Sequence, residues 1–320
     1  MLALMRRFPL ISFFTIAVAL SWIVVLVHVV PQPNLPTTWV TIVFITAGPC
    51  VAAFVMQTVL HGRAGVMHLL RRLVRVKVSW IWYVVVLVGI PLVLVLGTLP
   101  LPGAVESFDP TVSPVPPALP GLPGGWASYV GYFALVLFVG GPLLEEPGWR
   151  GFALPRMQSK LGYWGPLVGT LFLGVLWALW HFPQYMMPTW AAQNGGFNLP
   201  AMLIYIASVI PIAVILTWIY NRTRGSLFMT VLAHTSVNAF SIYIGPLFPA
   251  QAGSLVNGFI GFGGAALLLI VFTKGRLGFD HYLREVPADE LRLDGADGAS
   301  AVDRTSAKGP STESSAAGRL

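Results

Sequence analysis

Long uncharged apolar runs, separated by short polar or basic breaks, fill most of this chain. They cover about residues 8–30 (behind Arg6 and Arg7), 38–60, 79–99, 126–144, 161–182, 200–220, 226–244 and 254–273. Each approaches the roughly 20 apolar residues that carry a helix across a bilayer. Runs of this length predict membrane helices, so the expected fold is all-α, a polytopic bundle of about eight transmembrane helices. Ala17-Val18-Ala19 imitates a signal-peptidase site, but the first run goes on to Val30, as an uncleaved span does.

The breaks predict an orientation. Arg63, Arg71, Arg72, Arg75 and Lys77 follow the second run, Arg150, Arg156 and Lys160 the fourth, Arg222 and Arg224 the sixth, and Lys274 and Arg276 the eighth. Basic loops stay on the cytoplasmic side, which puts both termini there. The Pro- and Gly-rich stretch 100–125, charged only at Glu106 and Asp109, belongs outside in an extended, irregular form. After Asp280 the apolar pattern stops, and 293–320 is rich in Ala, Ser, Gly and Asp without an aromatic residue. We expect a transmembrane helical domain over 1–280 and a cytoplasmic disordered tail over 281–320.

Composition agrees with an integral membrane protein. The chain is 56% hydrophobic and 10% charged, with a mean hydropathy of +0.75, which leaves too little polar surface for a soluble globule. The net charge of +7 resides in the short clusters between apolar runs, where it acts as a topology signal, so no nucleic-acid partner is expected. A lone cysteine, Cys50, excludes an intrachain disulfide framework and a multi-cysteine metal site.

Ionisable side chains inside spans are costly and therefore candidates for function. Glu145 and Glu146 close the fourth run, and Arg150 stands four residues after Glu146, a spacing that pairs the two on a helix. That pairing makes Glu146 the structural carboxylate and leaves Glu145 for water, although Pro147 disturbs a regular helix there. His181 ends an aromatic run with Trp177 one turn before it on the same face. His234 lies within the seventh run and shares a helical face with Asn238. His28, His61, His68 and His281 lie near span ends or beside the breaks and read as interfacial. Two carboxylates, two membrane histidines and an asparagine on three helices exceed what packing needs, and they can activate water. HExxH and GxSxG are both absent, and Gly261-Phe262-Gly263-Gly264 lies within a span, where close helix packing explains it.

Glu145-Glu146-x-x-x-Arg150, Trp177-x-x-x-His181 and His234-x-x-x-Asn238 resemble the three ordered motifs of the CPBP family of intramembrane proteases, which includes type II CAAX prenyl endopeptidases and bacteriocin-processing or immunity proteins. The likeness covers about 126–245; Trp177 stands where the family usually has Phe. The resemblance implies an endopeptidase that hydrolyses a peptide bond of a membrane-associated protein or peptide, in the bilayer of a bacterial plasma membrane. Glu145 and His181 would activate water, His234 and Asn238 would stabilise the oxyanion, and Glu146 and Arg150 would brace the first motif. A divalent metal such as Zn2+ held by Glu145, His181 and His234, and a metal-free reaction, both remain open. Intramembrane Glu and His also serve proton-coupled transporters, and a family member can work without catalysis as an immunity or binding protein. One demand is geometric. A fifth span rising straight from Leu161 would carry His181 about 30 Å from the cytoplasmic side, away from a Glu145 at that side. The chain between Pro147 and Tyr163 must therefore re-enter the membrane, or the spans must be shifted or broken, with Gly162, Gly165 and Pro166 as the expected places.

Overall fold

A computed structural model describes residues 1–29, 38–111 and 126–296, and every regular element among them is helical. The apolar runs become α1 (Pro9–Val27), α2 (Trp39–Leu73), α3 (Trp80–Thr98), α4 (Trp126–Val139), α5 (Pro142–Gln158), α6 (Gly165–Trp180), α7 (Leu199–Arg222), α8 (Leu227–Leu247) and α9 (Val256–Phe272). Helical turns on either side extend α6 to a continuous span over Gly162–Met186. Among the described residues six helices are long and apolar enough to cross a membrane alone, and α4 with α5, bent by 42°, passes as a pair in the manner of a broken span or a re-entrant loop. The shorter α9 completes the expected eight, and the chain is an integral membrane protein. The segment 112–125, most of the expected irregular connector, lies outside the described residues.

Burial grades the helices from rim to centre. Only 22% of the α1 window is buried, against 78% for α8, so α8, which carries His234, runs through the middle of the bundle. Phe172, Leu203 and Leu267 remain exposed on outward faces, as side chains meeting lipid do. Gly97 of α3 and Gly261 of α9 bring their backbones into direct contact, and a Cβ at either would overlap the other helix. Small residues allow such close approach in membrane bundles, which accounts for the glycine run noted in the sequence.

The basic breaks converge at one end of the bundle. Arg75 Nη1–H donates to Arg224 O at 2.5 Å, Arg224 Nη2–H to Lys77 O at 3.1 Å, and Arg276 Nη1–H to Tyr163 O at 2.8 Å. These bonds tie together the turns after α2, α5, α7 and α9. At this end α2 also bends, at Gly62 with φ 56°.

Two expectations change. The fourth span does not end at the acidic pair: the chain breaks at Gly140–Gly141 and continues as α5 to Gln158, with Glu145, Glu146, Arg150 and Arg156 all buried within the bundle. The tail expected from residue 281 is folded up to residue 296. Here α10 (Phe279–Glu285) and α11 (Ala288–Leu293) turn Phe279, Tyr282 and Leu291 into the core. Fully buried Asp294 pairs with Arg72 at 2.5 Å and with His68 at 2.8 Å, while Tyr282 OH donates to the same carboxylate. His68 is thus a buried partner and not an interfacial residue. Composition missed this segment because one buried ion pair and a few well-spaced apolar residues fix it, and neither alters an average. Residues 297–320 of the expected tail lie outside the described residues.

Candidate active site

The site starts from the break between α4 and α5. Gly141 has φ 107°, a conformation open to glycine, and a Cβ there would come 2.7 Å from Glu145 Oε1. Pro142 then opens α5, a position where its missing N–H costs nothing. Pro147 interrupts the hydrogen-bond ladder, and the helix resumes as a π turn over Trp149–Ala153. Such turns change which side chains share a face.

The longer α5 meets the geometric demand. Counting back from Gln158, Glu145 lies about 20 Å along α5, and His181 lies about 24 Å along α6 from Gly165. The short turn between the helices includes Gly162 at φ 53°. The two helices run antiparallel from it and pack together, so both residues reach similar depth.

The two carboxylates have different surroundings. Fully buried Glu146 accepts at Oε1 from Arg150 Nη1–H at 2.8 Å and from His234 Nδ1–H at 2.9 Å. Arg150, equally buried, lies over the Trp177 ring with its guanidinium carbon 4.4 Å from the centroid. Glu145, 3% exposed, instead accepts at Oε2 from the indole N–H of Trp177 at 2.8 Å and of Trp149 at 3.3 Å. No hydrogen bond reaches its Oε1 among the described residues. Glu146 is therefore held in an ion pair, while Glu145 is oriented through Oε2 by two neutral indole donors.

The histidines differ as well. His181 caps α6, and its Nδ1–H donates to Trp177 O at 2.9 Å, since a carbonyl only accepts. In the neutral ring that leaves the lone pair on Nε2. Glu145 and His234 are close enough to act on His181 electrostatically. The His234 ring sits edge-on to Trp177 at 5.1 Å. Trp177 thus touches Glu145, Arg150 and both histidines, and joins the three motifs. Half-buried Asn238 follows His234 by one turn of α8 and makes no hydrogen bond among the described residues. Glu145, Glu146, Arg150, Trp177, His181 and His234 come together; Asn238 stands beside them without a bond.

Two groups escaped the sequence reading. Trp149 stands four residues after Glu145, the same spacing that flagged Arg150 for Glu146, and that arithmetic could have found it. Tyr205 of α7 packs on the His181 ring at 5.5 Å, beside Trp190 stacked on the same ring at 6.1 Å. No sequence spacing signals these, because they arrive from separate elements.

A zinc site requires about three protein ligands turned to one point, each about 2.0–2.2 Å away. Among the described residues no group of three or more His, Cys, Asp or Glu is placed to hold a metal. Nδ1–H of His234 is bonded to Glu146 and Nδ1–H of His181 to a carbonyl, which leaves Nε2 of each ring free as in metal-ligating histidines, but Glu145, His181 and His234 are not turned to one point in this arrangement. No step below runs through a metal.

Comparison with known proteins agrees with this geometry. Residues 127–240 match the family model described as Type II CAAX prenyl endopeptidase Rce1-like. CAAX prenyl protease 2 of Methanococcus maripaludis is 30% identical over 96 residues, a stretch covering 29% of this chain and 34% of that protein. The chain therefore matches about a third of that relative's length. The matched stretch contains α5, α6 and most of α8, the helices that supply all three motifs. Residues 127–240 are thus similar to the Rce1-like type II CAAX prenyl endopeptidases, the group whose ordered motifs the sequence resembles.

Proposed function

We propose that this protein is an intramembrane endopeptidase that hydrolyses a peptide bond of a membrane-associated protein or peptide, with Glu145 activating the water. One observation supports this above the others: Glu146 is paired with the Arg150 guanidinium and bonded to His234, while Glu145, adjacent in sequence, faces no cation and is held only by two indole donors on Oε2, within electrostatic reach of His181. An inert ion-pair cluster would have no use for that difference.

In the proposed reaction, Glu145 takes a proton from water as the water oxygen bonds to the scissile carbonyl carbon. His181 Nε2 assists as a second acceptor for the water. Negative charge then develops on the carbonyl oxygen, where preorganised donors lower the barrier. Asn238 is assigned that donor role through its amide, and His234, with Nδ1–H held by Glu146, joins it from Nε2 only in the doubly protonated ring. The intermediate collapses as the C–N bond breaks, and Glu145 returns its proton to the departing amine. Arg150 and Glu146 hold His234 in place and do not touch substrate. The names of the matched family and relative make a prenylated CAAX protein one substrate class for this site.

The test compares membrane proteomes of cells expressing wild-type and Glu145→Ala protein. Fragments present in the first and missing in the second are expected; identical fragment sets, or full activity of purified Glu145→Ala, would refute the assignment. With a substrate in hand, activity should persist after exhaustive chelation. Loss on chelation with rescue by added Zn2+ would show that the ligands rearrange around a metal.

A further inference from the structure

At the basic end, away from the Glu–His cluster, a cavity of about 410 Å³ opens between the ends of α7 and α9 and the start of α10. Its walls include Trp218, Arg222, Arg276, Asp280, His281 and Arg284, so three guanidiniums face a single carboxylate. Arg276 is already occupied by Asp280 and by Tyr163 O. Arg222 and Arg284 are exposed and form no ion pair among the described residues. Gly278, at φ 76°, lies against the Arg222 stem, where a Cβ would come 2.9 Å from Arg222 Cγ and Cδ. Like charges gathered around one cavity repel, and an anion bound among them removes that cost.

The position of the cavity selects the anion. It lies where two apolar spans end, at the depth of lipid headgroups. The Trp218 indole stands there, with Trp82 of α3 edge-on at 4.9 Å, and tryptophans favour that boundary. From the rim, Leu267, Leu268, Val271 and Phe272 form an exposed apolar face along α9, with Phe272 81% exposed. A free phosphate has no use for such a face, whereas an acyl chain does. We propose that this cavity is a binding site for the phosphate headgroup of an anionic phospholipid, held by Arg222 and Arg284, with its acyl chains along α9. Guanidiniums are suited to phosphate because their paired N–H groups match its oxygens.

The site is tested on the purified full chain by native mass spectrometry with dioleoylphosphatidylglycerol, with dioleoylphosphatidylcholine as the uncharged comparison. The wild type should retain phosphatidylglycerol, and Arg222→Gln/Arg284→Gln should weaken retention by about tenfold or more. Lys160→Gln, an exposed basic residue outside the cavity, should leave retention unchanged, as should millimolar inorganic phosphate. Equal retention by the wild type and the double variant would overturn the proposal. Displacement by inorganic phosphate would overturn the lipid as the source of the anion. A second measurement needs no variant: phosphatidylglycerol should raise the wild-type thermal midpoint and phosphatidylcholine should not, and equal shifts would also overturn it. Both measurements read lipid and not proteolysis, so they stand apart from the proposed activity.

Discussion

His234 Nδ1–H donates to Glu146 Oε1 at 2.9 Å across 88 positions of sequence, and the same oxygen accepts from Arg150 at 2.8 Å. The second carboxylate of the acidic pair is therefore the link between α5 and α8. This assigns the neighbouring residues Glu145 and Glu146 different tasks, and substitution should separate them.

Glu145→Gln keeps an oxygen for the two indole donors, so the folded protein should be as stable as wild type. Cleavage should fall about a hundred- to ten-thousand-fold, the usual contribution of a general base. Glu146→Gln leaves Arg150 as an uncompensated buried charge and should destabilise the protein by about 3–5 kcal/mol. Thermal unfolding in detergent beside an activity assay would distinguish them; equal losses of stability would contradict the division of roles.

Trp177→Phe keeps the ring over Arg150 but removes the 2.8 Å hydrogen bond to Glu145. A bond to a charged acceptor contributes about 1.5–3 kcal/mol, so kcat should drop about tenfold to a hundredfold with KM little changed. Trp149→Phe removes the longer 3.3 Å bond and should cost less. If Trp149→Phe proves the more damaging, the assignment of Trp177 as the main support of Glu145 is wrong.

Gly141→Ala places a Cβ at φ 107°, against Glu145 Oε1. A non-glycine residue in such a conformation costs about 1–3 kcal/mol, and relief of the strain would straighten the break between α4 and α5. Activity should be lost well below the unfolding temperature. Wild-type turnover by Gly141→Ala would show that the break does not position Glu145.

Asp294 is predicted to make docking of the C-terminal segment acid-sensitive. Burial by itself would raise its carboxyl pKa, but Arg72, then His68 and Tyr282, hold it below the usual carboxylate range. A folded pKa below the unfolded one contributes stability that is complete above the unfolded value, about 3.9. That stability is lost as pH falls through the folded value. Protease protection of residues 279–296 should thus persist at pH 5 and fail only below about pH 4. Asp294→Asn should expose the segment at every pH.

The number of spans, their order and the face shared by His234 and Asn238 are local properties. They depend on apolar run length and helical spacing, and the sequence carried them directly. The pairing of Glu146 with Arg150 was legible for the same reason, since four residues on a helix stand side by side even across Pro147. The motif resemblance required that His181 and Glu145 meet, and the run lengths alone showed that a simple crossing would keep them apart.

How they meet depended on tertiary structure. Gly140–Gly141 could have been a span end or a bend within one, and only the packing of α5 against α2, α6 and α8 makes it a bend. The partner of His234 is Glu146 and not Glu145, and the indoles select Glu145 Oε2; contacts between distant elements decide both. The burial of Asp294 against Arg72 and His68 is of the same kind, joining residues more than 200 positions apart. Sequence spacing determines which side chains share a helix face, but the partner across the gap is chosen by how the helices pack, where a buried charge must find its counterion or hydrogen-bond partner.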